Sequence, residues 1–174
     1  MLANRAPRFS DEKGYTFLEL TVVIFLIGLM VGLATPRIRY ALFTDDLKGT
    51  TRTIIGLVKA VREEAVREQR AYWIHFDLES NRYWVAWASM TLEEEARARE
   101  RASALPQGVR VKDIWFRTKG MQTRGEAEIR FSKKGYVPHS VIHLGSEDGR
   151  AFTLELSPFL GRIKVYERYV DFVS

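Results

Sequence analysis

The longest apolar run in the chain lies near its N-terminus. Residues 20–36, LTVVIFLIGLMVGLATP, carry no charged side chain, and Glu19 is the only charged residue between positions 15 and 36. As a helix, residues 15–36 would rise roughly 33 Å at 1.5 Å per residue, enough to cross the hydrocarbon core of a bilayer. A buried helix of a soluble domain is usually shorter and carries a polar stripe. The pattern therefore predicts a single transmembrane helix.

A second helical pattern follows, with its apolar positions on one face. These positions are three or four residues apart, at Leu47, Thr51, Ile54, Val58, Val61 and Ala65. The spacing predicts an amphipathic second half of the N-terminal helix over residues 37–70, packed by this seam against its own domain. A coiled coil or a partner-binding stripe is the alternative.

After residue 70 the period of the pattern changes from that of a helix to that of a strand. Seven short strands are predicted, at residues 72–77, 82–88, 109–116, 126–131, 139–144, 151–156 and 162–167. A charged segment near residues 90–107 interrupts them as a helix or a mobile insertion. We predict an α+β fold in which the long N-terminal helix packs on a small antiparallel sheet or two-sheet sandwich over residues 71–174.

Composition narrows the class of protein without naming its function. The chain has 174 residues, of which 46% are hydrophobic and 28% charged, and this excludes a disordered chain and a polytopic membrane protein. The absence of cysteine excludes disulfide scaffolds, thiolate zinc sites and cysteine nucleophiles.

The segment that precedes the apolar run is basic and ends in glycine. Residues 1–14 contain Arg5, Arg8 and Lys13 and end at Gly14, and the sequence YTFLEL then opens the run. A cleaved secretory signal would have a shorter apolar region, and a plain signal anchor is the other alternative. The arrangement closely resembles the N-terminal signal of type IV pilins and pseudopilins, and the pilin-like fold is the one that this resemblance implies.

That resemblance implies specific roles for individual residues. Residues 1–14 would be a leader that prepilin peptidase removes between Gly14 and Tyr15, and the same enzyme would N-methylate Tyr15. Glu19 would pair with the methylated amino terminus of a neighbouring subunit during filament assembly. A carboxylate in a bilayer costs about 2.5–3.5 kcal/mol, so Glu19 needs such a partner or a route to water; snorkelling to the interface is its alternative role.

Three further residues of the run, two glycines and a proline, are of types that weaken or bend a helix. Gly28 and Gly32 form a GxxxG pattern that allows close approach of another helix, and Gly28 and Pro36 lie where pilin helices commonly have glycine and proline. We expect Gly28, Gly32 and Pro36 to kink or loosen the helix.

The order of elements, and the segment LSPFLGRIKV at residues 156–165, resemble the H-type minor pseudopilins of type II secretion. The resemblance implies a subunit at or near the tip of a periplasmic pseudopilus that supports export of folded proteins across the outer membrane. It also implies a single-pass inner-membrane protein with a cytoplasmic N-terminus and a periplasmic C-terminal domain. Implied partners are other major and minor pseudopilins, prepilin peptidase and the inner-membrane assembly platform, with the secretin and cargo as further candidates.

Two other functions fit the same residues. One is a minor type IV pilin that primes pilus assembly or binds DNA for uptake, and the other is a membrane-anchored binding module that never polymerises. The DNA-binding alternative draws on a basic stretch of the chain. This stretch holds eight basic and three acidic residues interleaved with aromatic residues, which could contact nucleic-acid backbone and bases. The basic residues are Arg110, Lys112, Arg117, Lys119, Arg124, Arg130, Lys133 and Lys134. A charged, solvated or partner-facing strand edge is the simpler interpretation.

Sites for chemistry are sparse in the sequence. His139 and His143 fall on one face of a predicted strand, but no third ligand accompanies them, and the remaining histidine is His75. The pair Glu147-Asp148 before Gly149 is typical of a hairpin turn rather than of a calcium loop. No phosphate-binding loop or catalytic triad spacing is present, so we expect no metal, no cofactor and no enzymatic activity.

Overall fold

A computed structural model describes residues 15–158 and 162–172, and for residues 32–45 it describes the backbone alone. The chain divides into two compact units, Met1–Arg39 and Tyr40–Ser174. Helix α1, Phe17–Arg67, contributes to both units, and every other element belongs to the second.

Among the described residues, the elements that follow α1 are one further helix and nine strands. In chain order they are β1 Tyr72–Asp77, β2 Arg82–Trp87, α2 Leu92–Glu100, β3 Ser103–Ala104, β4 Val109–Phe116, β5 Gly120–Gln122, β6 Glu126–Phe131, β7 Ser140–Ser146, β8 Ala151–Leu156 and β9 Ile163–Tyr166. They form two antiparallel sheets with strand orders β3-β2-β1-β6 and β5-β4-β7-β8-β9. The predicted combination of a helix with a two-sheet antiparallel domain is therefore confirmed.

The predicted seam of α1 forms one side of the core. All six of its positions are buried, whereas positions between them, such as Lys48 and Arg52, are exposed. Thr51 fits this apolar seam because its hydroxyl donates to the carbonyl of Leu47 at 2.8 Å. Packing against its own domain, and not a coiled coil, is thus what the spacing encodes.

Both sheets share this core with α1. Alternation places Tyr72, Ile74 and Phe76 of β1 inside, and the opposite pleat positions point outward. The five-stranded sheet contributes inward residues from three strands: Val109, Val111, Ile114, Phe116, Ile142, Leu144, Phe152, Leu154 and Leu156. The helix is therefore held by both sheets at once.

The loop after β6 approaches α1 at a glycine. The Gly135 carbonyl accepts from Nε of Arg62 at 3.0 Å, and Gly135 has φ +76°. A Cβ there would lie 2.9 Å from Cγ2 of Val66, so both the backbone conformation and the close packing favour glycine.

A β-bulge in β4 changes which residues face the core. Val111 pairs with Leu144 and Asp113 pairs with His143, so Lys112 is the extra residue on its strand. Before the bulge odd-numbered residues point inward, and after it Ile114 and Phe116 do. Asp113 is consequently placed on the outer face of the five-stranded sheet.

The charged segment near residues 90–107 contains a helix. The Thr91 hydroxyl accepts from the Glu94 amide at 3.2 Å, and the Glu94 carboxylate accepts from the Thr91 amide at 2.8 Å. This capping box starts α2, which exposes all of its charged residues. The segment then returns to the first sheet as β3, which the sequence pattern did not predict.

Several predicted features lie outside the described residues. The leader and Gly14 are among them, and at Gly32 and Pro36 only the backbone is described. The predicted kink therefore stays a prediction.

Within the part of the chain that the structure describes, no helix is both long enough and apolar enough to cross a membrane.

Two valines on α1 allow a matched test of the packing. Val58 is 4% exposed in the seam, whereas Val66 is 43% exposed on the same helix. We expect Val58→Ala to lower the free energy of unfolding by about 2 kcal/mol, because it leaves a cavity between the helix and the sheets. Val66→Ala should change it by less than about 0.5 kcal/mol. Urea denaturation of the full chain in detergent measures both, and equal losses would contradict the packing described.

Candidate functional site

The start of α1 is built around a threonine. The Thr16 hydroxyl accepts from the amide of Glu19 at 3.2 Å, and the Thr16 carbonyl accepts from the amide of Leu20 at 3.1 Å. Thr16 is thus the N-cap of α1, and Glu19 lies in its first turn, where a negative charge interacts favourably with the helix dipole. Sequence analysis missed this role, although Thr16 and Glu19 have capping-box spacing.

The described N-terminal part of α1 leaves its apolar residues uncovered. Every large apolar side chain from residue 15 to residue 31 is exposed, and so is Glu19. Beyond its chain neighbours and the adjacent helix backbone, Gly28 has no described atom within 4 Å of the position its Cβ would take. An apolar surface of this extent is typical of a segment that contacts lipid or other proteins.

The eight basic residues of the predicted patch do not share one strand or one end of a sheet. Arg110 and Arg117 mark the two ends of β4, about 23 Å apart at 3.3 Å per residue. Lys119 pairs with Glu128 at 3.8 Å, and the Arg130 guanidinium lies 5.5 Å from the Trp73 ring in the other sheet. The charges are therefore distributed around the domain.

Each histidine interacts with a different carboxylate. Nδ1 of His75 lies 2.6 Å from Oε1 of Glu126, Nε2 of His139 lies 3.2 Å from Oε1 of Glu155, and His143 is hydrogen-bonded to Asp113. Among the described residues no three His, Asp or Glu side chains form a group that could hold a metal ion.

The pair Glu147-Asp148 lies in the β7–β8 hairpin, as predicted. Asp148 accepts from the Ser146 hydroxyl and from the amide of Arg150. The Arg150 guanidinium, with the Ser146 bond, holds the pKa of the Asp148 carboxyl well below its usual range. This carboxylate shapes a turn.

A further feature that the sequence did not reveal is a segment after the last strand, residues 167–172, which we call the C-terminal strap. It turns back over the outer face of the five-stranded sheet. The Thr153 hydroxyl donates to the carbonyl of Arg168 at 2.8 Å and accepts from the amide of Val170 at 3.1 Å. Nε2 of His143 lies 2.9 Å from the Val170 carbonyl. The strap therefore crosses β8 and then β7.

Two aromatic side chains fix the far part of the strap. The Tyr169 ring stacks on His143 with 4.1 Å between ring centroids, and its hydroxyl donates to Oδ2 of Asp113 at 3.2 Å. The Phe172 ring lies 6.2 Å from that of Trp115 and 6.3 Å from that of His139. Tyr169 and Phe172, two aromatics beyond the last strand, are the sequence signal that could have revealed the strap.

A cavity of about 600 Å³ opens beside the end of the strap. Its walls include Trp115, Phe116, Arg117, Met121, His139 and Phe172. The arrangement suits binding of an apolar or aromatic group with a positive charge at hand.

Hydrogen bonding and burial change the ionisation of one carboxyl group of the sheet and one phenol of the strap. Burial alone would raise the pKa of the Glu155 carboxyl, but the bonds from Tyr166 and His139 outweigh it and lower that pKa. Burial against the sheet, followed by the charge and hydrogen bond of Asp113, raises the pKa of the Tyr169 phenol to about 12.

Comparison with known proteins confirms the resemblance to H-type pseudopilins. The chain is 28% identical over 167 residues to the type II secretion system protein H of Pseudomonas aeruginosa, covering 90% of this chain and 84% of that protein. No protein-family model matches the sequence.

Solved structures match the fold. Two solved structures of the minor pseudopilin EpsH from the type II secretion system of Vibrio cholerae are similar to this chain. Each matches it with a TM-score of 0.53 and 11% sequence identity. Each match covers 73% of this chain, with 97% of one EpsH chain and 100% of the other. The chain is therefore similar in fold to EpsH over about three quarters of its length.

The Tyr169 contact predicts an alkaline transition. Because folding raises the pKa of this phenol, its contribution to stability is complete below the ordinary value of about 10 and is lost as the pH rises through about 12. The phenolate absorbance difference between the chain and Tyr169→Phe should titrate near pH 12. Asp113→Asn should move that titration towards about pH 10. A difference that titrates near pH 10 in the unchanged chain would contradict the contact.

Proposed function

We propose that this chain is a minor pseudopilin, a structural subunit at or near the tip of the type II secretion pseudopilus that supports export of folded proteins across the outer membrane. The observation that carries the proposal is that the similarity to protein H extends along most of the chain and is joined by a match in fold. The role is one of assembly and requires no catalysis.

The exposed apolar helix of the first unit supports this role. Before assembly it would anchor the subunit in the inner membrane, with the N-terminus cytoplasmic and the β-rich domain periplasmic. After assembly the same apolar surface would pack against the helices of other pseudopilins. Both environments bury side chains that the described chain itself leaves uncovered.

We propose that Glu19 sets the position of one subunit relative to its neighbour in the filament. It is exposed in the first turn of α1 among apolar neighbours, and only a partner or water can compensate its charge in an apolar filament core. The methylated amino group of Tyr15 in a neighbouring subunit would supply the opposite charge. Prepilin peptidase and the inner-membrane assembly platform are the partners proposed for processing and assembly.

Replacing the carboxylate tests the assembly role. Glu19→Ala should leave membrane insertion intact, since it only makes the helix more apolar, but incorporation into the pseudopilus should fall to background because the charge pair is lost. Shearing and immunoblotting of pseudopili in a secreting strain measure this, with secreted enzyme as a second readout.

Glu95→Ala on α2 is the matched control, because it removes another exposed carboxylate without touching α1. Normal incorporation of the Glu19→Ala subunit would rule out this proposed role of Glu19.

Processing is tested separately by mass spectrometry. In cells with prepilin peptidase the mature chain should begin at Tyr15 and carry one added methyl group, and Gly14→Glu should block cleavage because only a very small residue is expected to fit before the scissile bond. The same strain without the peptidase is the control. A mature chain that keeps residues 1–14 would exclude membership of the filament.

A further inference from the structure

Polar side chains are buried on the outer face of the five-stranded sheet. Side chains on this face point away from the core and would be exposed to solvent if nothing covered them. His143 and Thr153 are 0% exposed and Asp113 is 5% exposed, although all three point away from the core. The contacts that cover them come from the strap, because Val170 and Arg168 bond Thr153 and Tyr169 lies on His143. The three polar groups form a row across β4, β7 and β8.

This row holds the strap through its main chain. The Thr153 hydroxyl bonds both a carbonyl and an amide of the strap, and Nε2 of His143 bonds the Val170 carbonyl. Bonds to backbone atoms are available to any extended segment, whatever its side chains. The row therefore provides affinity for extended backbone.

Two sockets, the first of which is formed by two residues of the row, provide selectivity. The first consists of the His143 ring and the Asp113 carboxylate, which receive the ring and hydroxyl of Tyr169. The second consists of Trp115 and His139, which receive Phe172 next to the 600 Å³ cavity. Because the side chains that fill the two sockets are Tyr169 and Phe172, the sockets select two aromatic residues that are three positions apart along the occupant.

The hydrogen bonds that join residues 168–170 to the sheet run to side chains of the sheet. These side chains belong to β4, β5, β7 and β8, and Tyr169 keeps 39% of its surface exposed. The strand before it, β9, is the edge of the sheet, so the strap can leave without breaking a strand pair in the middle of the sheet.

We propose that this outer face is a peptide-binding groove, and that the strap is its tethered occupant. The groove accepts from another protein chain an extended segment that carries two aromatic residues three positions apart. Such a segment replaces the strap rather than adding to it, since both use Thr153 and His143. The face is therefore an interaction surface that the chain covers itself until a partner segment competes.

Tethering sets how strong the competition must be. A segment attached by a short linker has an effective concentration in the millimolar range, so a free peptide binds weakly while the strap is seated. Removing the two aromatic anchors from the strap should open the groove to a peptide in trans.

The test uses the full chain in detergent and a fluorescently labelled synthetic peptide, ERYVDF, with the sequence of residues 167–172. Fluorescence anisotropy should show that the double variant Tyr169→Ala/Phe172→Ala binds the peptide at least about tenfold more tightly than the unchanged chain. A peptide with alanine in place of both aromatics should not bind. Leu92→Ala, on the exposed face of α2, should behave like the unchanged chain.

Two measurements separate the outcomes. If the double variant keeps the circular dichroism and melting temperature of the unchanged chain but binds the peptide no better, the groove is not a peptide site. If the double variant fails to fold, amide exchange on the unchanged chain decides: excess ERYVDF should speed exchange of the Val170 amide and leave the Ile142 amide unaffected. Unchanged exchange at Val170 would overturn the proposal.

Discussion

Burial of one seam of α1 against both sheets is the interaction on which the rest of the domain depends. The seam contributes apolar residues to the same core as the inward faces of the two sheets, and the chain has no cysteine to replace that packing with a disulfide. At about 25 cal/mol per Å² of buried apolar surface, such a shared core is what outweighs the conformational entropy of folding. Because both sheets meet the helix, their outer faces are left for other contacts.

The same helix changes its environment along its length. In the second unit its apolar side chains are covered by the sheets, whereas from residue 15 to residue 31 they are exposed. Exposure of an apolar surface of this extent to water is unfavourable, because it opposes the hydrophobic effect that folds the domain. In the proposed role, the inner membrane and then the core of the filament would cover these side chains.

The sequence predicted those parts of the structure whose signal is periodic. Spacing of three and four residues identified the seam from Leu47 to Ala65, and alternation identified seven of the nine strands. The two missed strands have two and three residues, which is too short for a period to be seen. The bulge at Lys112 was invisible because it depends on pairing with β7, and the strap was missed because its partners lie 15 to 56 residues away. At the N-terminus the signal was instead a motif; it did not reveal the capping role of Thr16, and the processing and assembly roles that the motif implies stay predictions.

The energetics of the outer face explain why the strap is suited to exchange. Without the strap, Asp113, His143 and Thr153 would be solvated on a sheet face, where water satisfies their hydrogen bonds. The net worth of a protein hydrogen bond over one to water is only about 0.5–1.5 kcal/mol, so uncovering this row costs far less than opening the core. The bulge in β4 makes the arrangement specific, because it turns Asp113 outward to the position where Tyr169 meets it. This face is polar, binds aromatic rings at two places and is covered by a single segment. That segment can therefore be exchanged for another while the helix and the two sheets stay folded.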